Sequence, residues 1–182
     1  QIEEIKKIDA KYHDFKIFTG IEMDILPDGS LDFDDELLSE LDIVIASIHS
    51  AFSQSREKIM DRLRTAMFNK HVDIIAHPTG RLVGNRPGYD VDIDMLISLA
   101  KETNTALELN ANPHRLDLAS IHLKKAQENG VKIAINTDAH NMDTLHFMEI
   151  GVATARKGWL EESSVLNAMD LDGLMAFLNR HD

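Results

Sequence analysis

Asp138 and His140 stand two residues apart in "NTDAH", directly after the apolar run "VKIAI". In a strand, residues i and i+2 point to one face, so a D-x-H at a strand's end aims a carboxylate and an imidazole into one space, a donor pair suited to a metal ion. Groups of the same chemistry close other apolar runs: Glu22 in "GIE", His49 in "SIHS", His77 in "AHP", and the amides Asn110 and Asn112 in "ELNANPHR". Taken singly, each has an ordinary explanation. A strand-end Glu is usually solvated, a His is often hydrogen-bonded at the edge of a core, and Asp138 would cap a following helix. It is their concentration at one rim that points to a metal centre. The chain has no cysteine, so His and carboxylate must supply the ligands, a set that suits manganese, zinc or iron better than calcium.

The elements that must position these groups alternate. Runs rich in Ile and Val predict strands at "FKIFTGIEM" (15–23), "DIVIASIH" (42–49), "VDIIAH" (72–77), "ALELN" (106–110) and "KIAINT" (132–137), as expected of parallel strands buried on both faces. Between them, "SREKIMDRLRTAMFNK" places Ile59, Leu63, Ala66 and Met67 on one helical face with Ser55 as N-cap. "DIDMLISLAKE" repeats the pattern, "DLASIHLKKAQENG" ends on the helix-terminating Gly130, and "DLDGLMAFLNRH" starts from Asp170. This order predicts a parallel α/β architecture, an open wound sheet or a barrel, with chemistry at the C-terminal ends of the strands. No phosphate-binding glycine signature follows the first strand. Arg81, Arg86, His114 and Arg115 fall in loops near the same rim, where Arg is suited to bidentate phosphate contact or simply to solvation. His13, His71, His122, His146 and His181 lie in or beside helices or at the terminus and need no role in the site.

Composition limits the alternatives. A net charge of −12 over 182 residues argues against a general nucleic-acid binder, since phosphate backbones are held chiefly by Lys and Arg. No apolar stretch approaches the roughly 20 residues that span a bilayer, the charged start is no signal peptide, and the lack of cysteine favours a cytoplasmic location. The first residue is Gln, and Ile2, Ile5 and Ile8 read as a helix already in progress. Residues 1–182 are therefore expected to form a single, partial domain of a longer polypeptide, with a processed N-terminus as the alternative.

Glu22, His49, His77 and the closing D-x-H resemble, in order and spacing, the later motifs of the PHP (polymerase and histidinol phosphatase) family. "HPTGRL" (77–82) and "LELNANPHRLDL" (107–118) are similar to the C-terminal PHP domain of bacterial family X DNA polymerases. The resemblance implies a distorted (β/α)7 barrel, here incomplete, with about five parallel strands and without the first two, whose H-x-H and D-H motifs are absent. It implies up to three divalent ions in a complete domain, manganese or zinc with iron as an alternative, and about one in this chain. Glu22 would bridge two ions, His49 and His77 would complete one of them, and Asp138 and His140 would serve the others and take part in catalysis. The implied activity is hydrolysis of DNA phosphate esters by a metal-activated hydroxide, as a 3′-5′ exonuclease or in end processing during repair, with Arg81, His114 and Arg115 on the substrate. Upstream polymerase and helix-hairpin-helix domains would supply DNA 3′ ends, and this piece alone would be weakly active or inactive and prone to self-associate through open barrel edges. The alternatives are a non-catalytic module supporting polymerase domains, and a stand-alone phosphatase for a small ester such as histidinol phosphate.

Overall fold

The computed structural model describes residues 1–180; His181 lies outside the described residues. Five parallel strands, β1 (Gly20–Asp24), β2 (Ile43–Ser47), β3 (Ile74–Ile75), β4 (Ala106–Asn110) and β5 (Ile133–Asn136), lie in the order β1-β2-β3-β4-β5. An order without reversal belongs to a barrel wall rather than to a doubly wound sheet, and the open five-stranded sheet is the incomplete barrel expected from the sequence. Seven α-helices are found among the described residues: α1 (Ile2–Asp9), α2 (Asp35–Leu38), α3 (Arg56–Met67), α4 (Ile93–Thr103), α5 (Ser120–Glu128), α6 (Phe147–Lys157) and α7 (Leu171–Leu178). No helix among these residues is long and apolar enough to cross a membrane.

Strand alternation sorts the side chains into two faces. Met23, Val44, Ala46, Ile75, Leu107, Leu109, Ile133 and Ile135 face outward onto Ile59, Leu63 and Ala66 of α3, Leu96 and Ile97 of α4, and Leu123 of α5. Full burial of a side chain such as Leu63 contributes about 1.5–3 kcal/mol. The opposite face starts apolar, with Ile43, Ile45, Ile74, Ala106 and Ala134 packed under Leu166 and Phe177. Its next positions towards the strands' C-terminal ends are Glu22, Asp24, Ser47, Glu108, Asn110 and Asn136. The inner face thus changes from apolar to polar along the strand direction, and that change creates the site.

The caps agree with the sequence. Ser55 accepts a hydrogen bond from the Lys58 amide at the start of α3, and Asp170 accepts one from Gly173 at the start of α7. Several boundaries differ. The segment 15–19 is not strand: Asp9, the last residue of α1, takes the Ile17 amide and the Lys16 ammonium, and β1 finds its ladder partner only from Gly20, opposite Ile43. β3 is cut to Ile74–Ile75 because the Asp73 carboxylate takes the Val44 amide and His77 turns left-handed at φ 48°. Helix α5 begins at Ser120 rather than Asp117 because the buried Asp117 carboxylate is engaged elsewhere, by the amides of Thr79 and Gly80 and the Thr79 hydroxyl.

Candidate metal centre

Glu22 from β1, His49 just past β2 and His77 just past β3 offer ligand atoms that all lie within 4.8 Å of one another. Glu22 Oε1 is 3.3 Å from His49 Nε2 and 3.2 Å from His77 Nε2. Two donors each about 2.0–2.2 Å from one tetrahedral ion would be separated by about 3.4 Å. The observed spacing therefore fits a shared ion with little rearrangement, and an oxygen with two imidazole nitrogens is a fitting donor set for zinc or manganese. Behind this triangle, Ser47 Oγ donates to Glu22 Oε1 at 3.0 Å. Asp24 Oδ1 stands 2.5 Å from His49 Nδ1, and Glu108 Oε2 is 3.2 Å from His77 Nδ1.

The backbone at His77 is held at both ends. Its amide donates to Glu108 Oε2 at 2.9 Å, and its carbonyl accepts from the Tyr89 hydroxyl at 2.8 Å and from the Gly80 amide at 2.9 Å. Gly80 is required here: its φ is +63°, and a Cβ would meet the Tyr89 ring at 2.5 Å. Asp138 is also left-handed, at φ 53°. A non-glycine residue in this region costs on the order of 1–3 kcal/mol and persists where its surroundings over-determine it. Both instances fall at the rim where the polar side chains meet.

The electrostatics follow the contacts. Hydrogen bonds from His49 and then His77 hold the Glu22 carboxyl below the usual carboxylate range, against the opposing effect of burial. His49 is raised by its hydrogen bond to Glu22, opposed by burial and supported by Asp24. For His77 burial pulls downward, but the hydrogen bonds to Glu108 and Glu22 outweigh it and push the imidazole up to about 9. Four carboxylates, Glu22, Asp24, Glu108 and Asp138, thus surround two imidazoles, a field that favours positive charge, whether protons or a cation.

Asp138 lies beside the triangle, with Oδ2 3.7 Å from His77 Nε2 and accepting from the Asn110 amide at 3.2 Å. His140 is 85% exposed in its side chain, and its Nδ1 stands 2.8 Å from the Asp138 carbonyl. β5 ends at Asn136, so the strand alternation that would aim both members of D-x-H inward does not reach them, and only the Asp is turned towards the centre. The loop residues also separate. Arg115 Nε is 3.8 Å from Asp138 Oδ2, whereas the Arg81 guanidinium donates to the carbonyls of Arg115 and Leu116. Arg86 donates to the Gly80 carbonyl and stacks over the Phe52 ring, and His114 is exposed. Asn110 Oδ1 accepts from the Asn112 amide and Asn112 Oδ1 from the His114 amide, so both side chains shape this loop.

Asp24, Ser47, Glu108 and Asn136 join the site without having been singled out in the sequence. Asp24 and Ser47 lie two residues from Glu22 and His49, hence on the same face. Glu108 is a carboxylate inside the apolar strand "ALELN", a position that requires partners; its Oε1 accepts from Asn136 Nδ2 at 3.0 Å.

Comparison with known proteins gives relatives of two kinds. Over all of its 182 residues the chain is 62% identical to the DNA polymerase/3'-5' exonuclease PolX of Bacillus subtilis, of which it spans 32% of the length. It is 32% identical over 173 residues to a probable phosphatase of a Thermoanaerobacter species, covering 90% of this chain and 68% of that protein. A probable phosphatase of Caldanaerobacter subterraneus is 34% identical over 146 residues, 75% of this chain and 55% of that protein. No family model matches the sequence.

Proposed function

The chain belongs to the PHP family of phosphoesterases, and from that premise we propose that it hydrolyses phosphate esters at DNA 3′ ends, as a 3′-5′ exonuclease or in end processing during repair. The observation that carries this reading is the convergence of Glu22, His49 and His77 on one point at the C-terminal rim of the sheet. On this reading those three hold a divalent ion, manganese before zinc, and Asp138 and His140 contribute to further ions. A bound divalent ion lowers the pKa of water and stabilises charge on phosphoryl and leaving oxygens.

The residues of the chain do the rest. Glu22 and Ser47 anchor the ligand triangle on β1 and β2, and Glu108 and Tyr89 fix the His77 segment. Arg115, beside Asp138, is positioned to neutralise a phosphate entering over the rim, with His114 as a further contact, while Arg81 keeps the 115–116 segment in place. The acidic surface, −12 overall, calls for DNA to be held by other parts of a longer polypeptide, polymerase and helix-hairpin-helix domains, with residues 1–182 serving as its phosphoesterase unit.

Release of nucleotides from a 5′-labelled oligonucleotide by the full-length protein, with manganese as the only divalent ion, tests the proposal. Glu22→Ala and His49→Ala are expected to reduce the rate by at least about 100-fold, the scale of losing transition-state charge stabilisation. Unchanged rates in both variants would sink it. The similarity to probable phosphatases favours a second reading, hydrolysis of a small phosphate ester. Turnover of histidinol phosphate together with no nucleotide release would establish that reading instead.

A further inference from the structure

We propose that Asp24 and Glu108 are a pair of positioning carboxylates that hold His49 and His77 in the tautomer with its proton on Nδ1, so that both Nε2 atoms are offered to one divalent ion. The inference rests on the reading of Glu22, His49 and His77 as a metal centre and concerns residues outside that triangle. Each imidazole is placed between two carboxylates. His49 turns Nδ1 to Asp24 Oδ1 at 2.5 Å and Nε2 to Glu22 Oε1 at 3.3 Å. His77 turns Nδ1 to Glu108 Oε2 at 3.2 Å and Nε2 to the same Glu22 oxygen at 3.2 Å. The hydrogen bond at one ring nitrogen decides the role of the other. A carboxylate on Nδ1 fixes the ring's rotation and raises the basicity of Nε2.

The two supports come from different strands, Asp24 from β1 and Glu108 from β4, and approach the histidines from opposite sides. Glu108 is itself immobilised, accepting from the His77 amide and from Asn136. The Asn110 amide, 3.4 Å from His77 Nδ1, is a donor with Glu108 and Asp138 as acceptors, which leaves Glu108 as the acceptor for the Nδ1 proton. Ser47 Oγ touches the His49 ring, 3.0 Å from Nε2, but donates its proton to Glu22. The Glu22 carboxylate thus acts as a ligand, whereas Asp24 and Glu108 act through the histidines.

The test is zinc binding by the full-length protein, measured by calorimetry, with ¹⁵N NMR of the histidine ring nitrogens and a thermal melt of each variant. Asp24→Asn and Glu108→Gln are each expected to weaken zinc by about 10- to 100-fold. The zinc-loaded wild type should show Nε2 coordination with a hydrogen-bonded Nδ1–H on both rings. Asp42→Asn, just before β2 at the opposite, N-terminal end of the strands where that carboxylate accepts from the Thr19 amide, should bind as the wild type does. Asp24 is 32% exposed, so Asp24→Asn decides the matter should Glu108→Gln fail to fold. Wild-type affinity in Asp24→Asn, or zinc held through Nδ1, overturns the proposal. If Glu22→Ala abolishes binding in the same series, the metal centre stands and only the positioning role falls. If Glu22→Ala also binds normally, the centre falls with it.

Discussion

At the scale of single residues, the proton and the metal compete for the same lone pairs. His77, raised to about 9 from an ordinary 6.5, is protonated near neutrality and paired with Glu22 and Glu108. Its folded value exceeds its unfolded one, so this pairing stabilises the metal-free fold fully below about 6.5 and is lost as pH rises through about 9. A divalent ion must displace that proton, so its apparent affinity should move the other way and climb by about tenfold per pH unit up to about 9 as His77 gives up its proton. Glu22, held below the usual carboxylate range, stays ionised throughout and does not set the dependence. Manganese titrations at a series of pH values should show this rise, with about one tightly held ion per chain under alkaline conditions and none in Glu22→Ala. An affinity flat from pH 6.5 to 9 would mean that His77 is not a ligand.

At the scale of elements, the loops that carry the ligands are tied together from below. Arg62 on α3 is 1% exposed, and its guanidinium donates to the Ser50 carbonyl, to Gln54 Oε1 and to the Ile25 carbonyl. Those carbonyls directly follow the segments bearing Asp24 and His49. Arg62→Met would leave both unsatisfied, each at about 1–3 kcal/mol, partly offset by removing a desolvated charge. A loss of about 2–4 kcal/mol in urea unfolding is expected, with Arg62→Lys in between, and a change below about 0.5 kcal/mol would discount the bracing role. No sequence signal marks this role, because an Arg at that point of an amphipathic helix reads as solvated. What could be read was everything periodic: the five apolar runs, the caps at Ser55 and Asp170, and the strand-end positions of Glu22, His49 and His77. What could not be read depended on tertiary partners. Glu108 carried a burial signal but no address, Asp117 left its helix to fasten another loop, and His140 passed beyond the strand whose alternation was to orient it.

At the scale of the whole molecule, the sheet remains open. Beyond β2, the β1 strand has no ladder partner on its other edge among the described residues. The inner-face residues Ile43 and Ile45 are only half-buried, and Ile8, Tyr12, Phe15 and Phe33 expose apolar surface in the same N-terminal part of the chain. An unpaired edge next to uncovered apolar groups favours pairing with another chain. Opposing this is the net charge of −12, which repels like chains over distances comparable to the Debye length, about 10 Å at 0.1 M salt and about 3 Å at 1 M. The apolar attraction is not screened and the repulsion is, so self-association of this 182-residue chain should strengthen with added sodium chloride. Sedimentation velocity over a range of protein concentrations, at low salt and near 1 M, distinguishes the forces: rising association with salt supports apolar pairing at the open edge, and falling association would require salt bridges between chains instead. A monomer at every concentration and both salt levels would mean that the charge and the partial cover of Leu166 and Phe177 over the inner face suffice to close the molecule against its own copies.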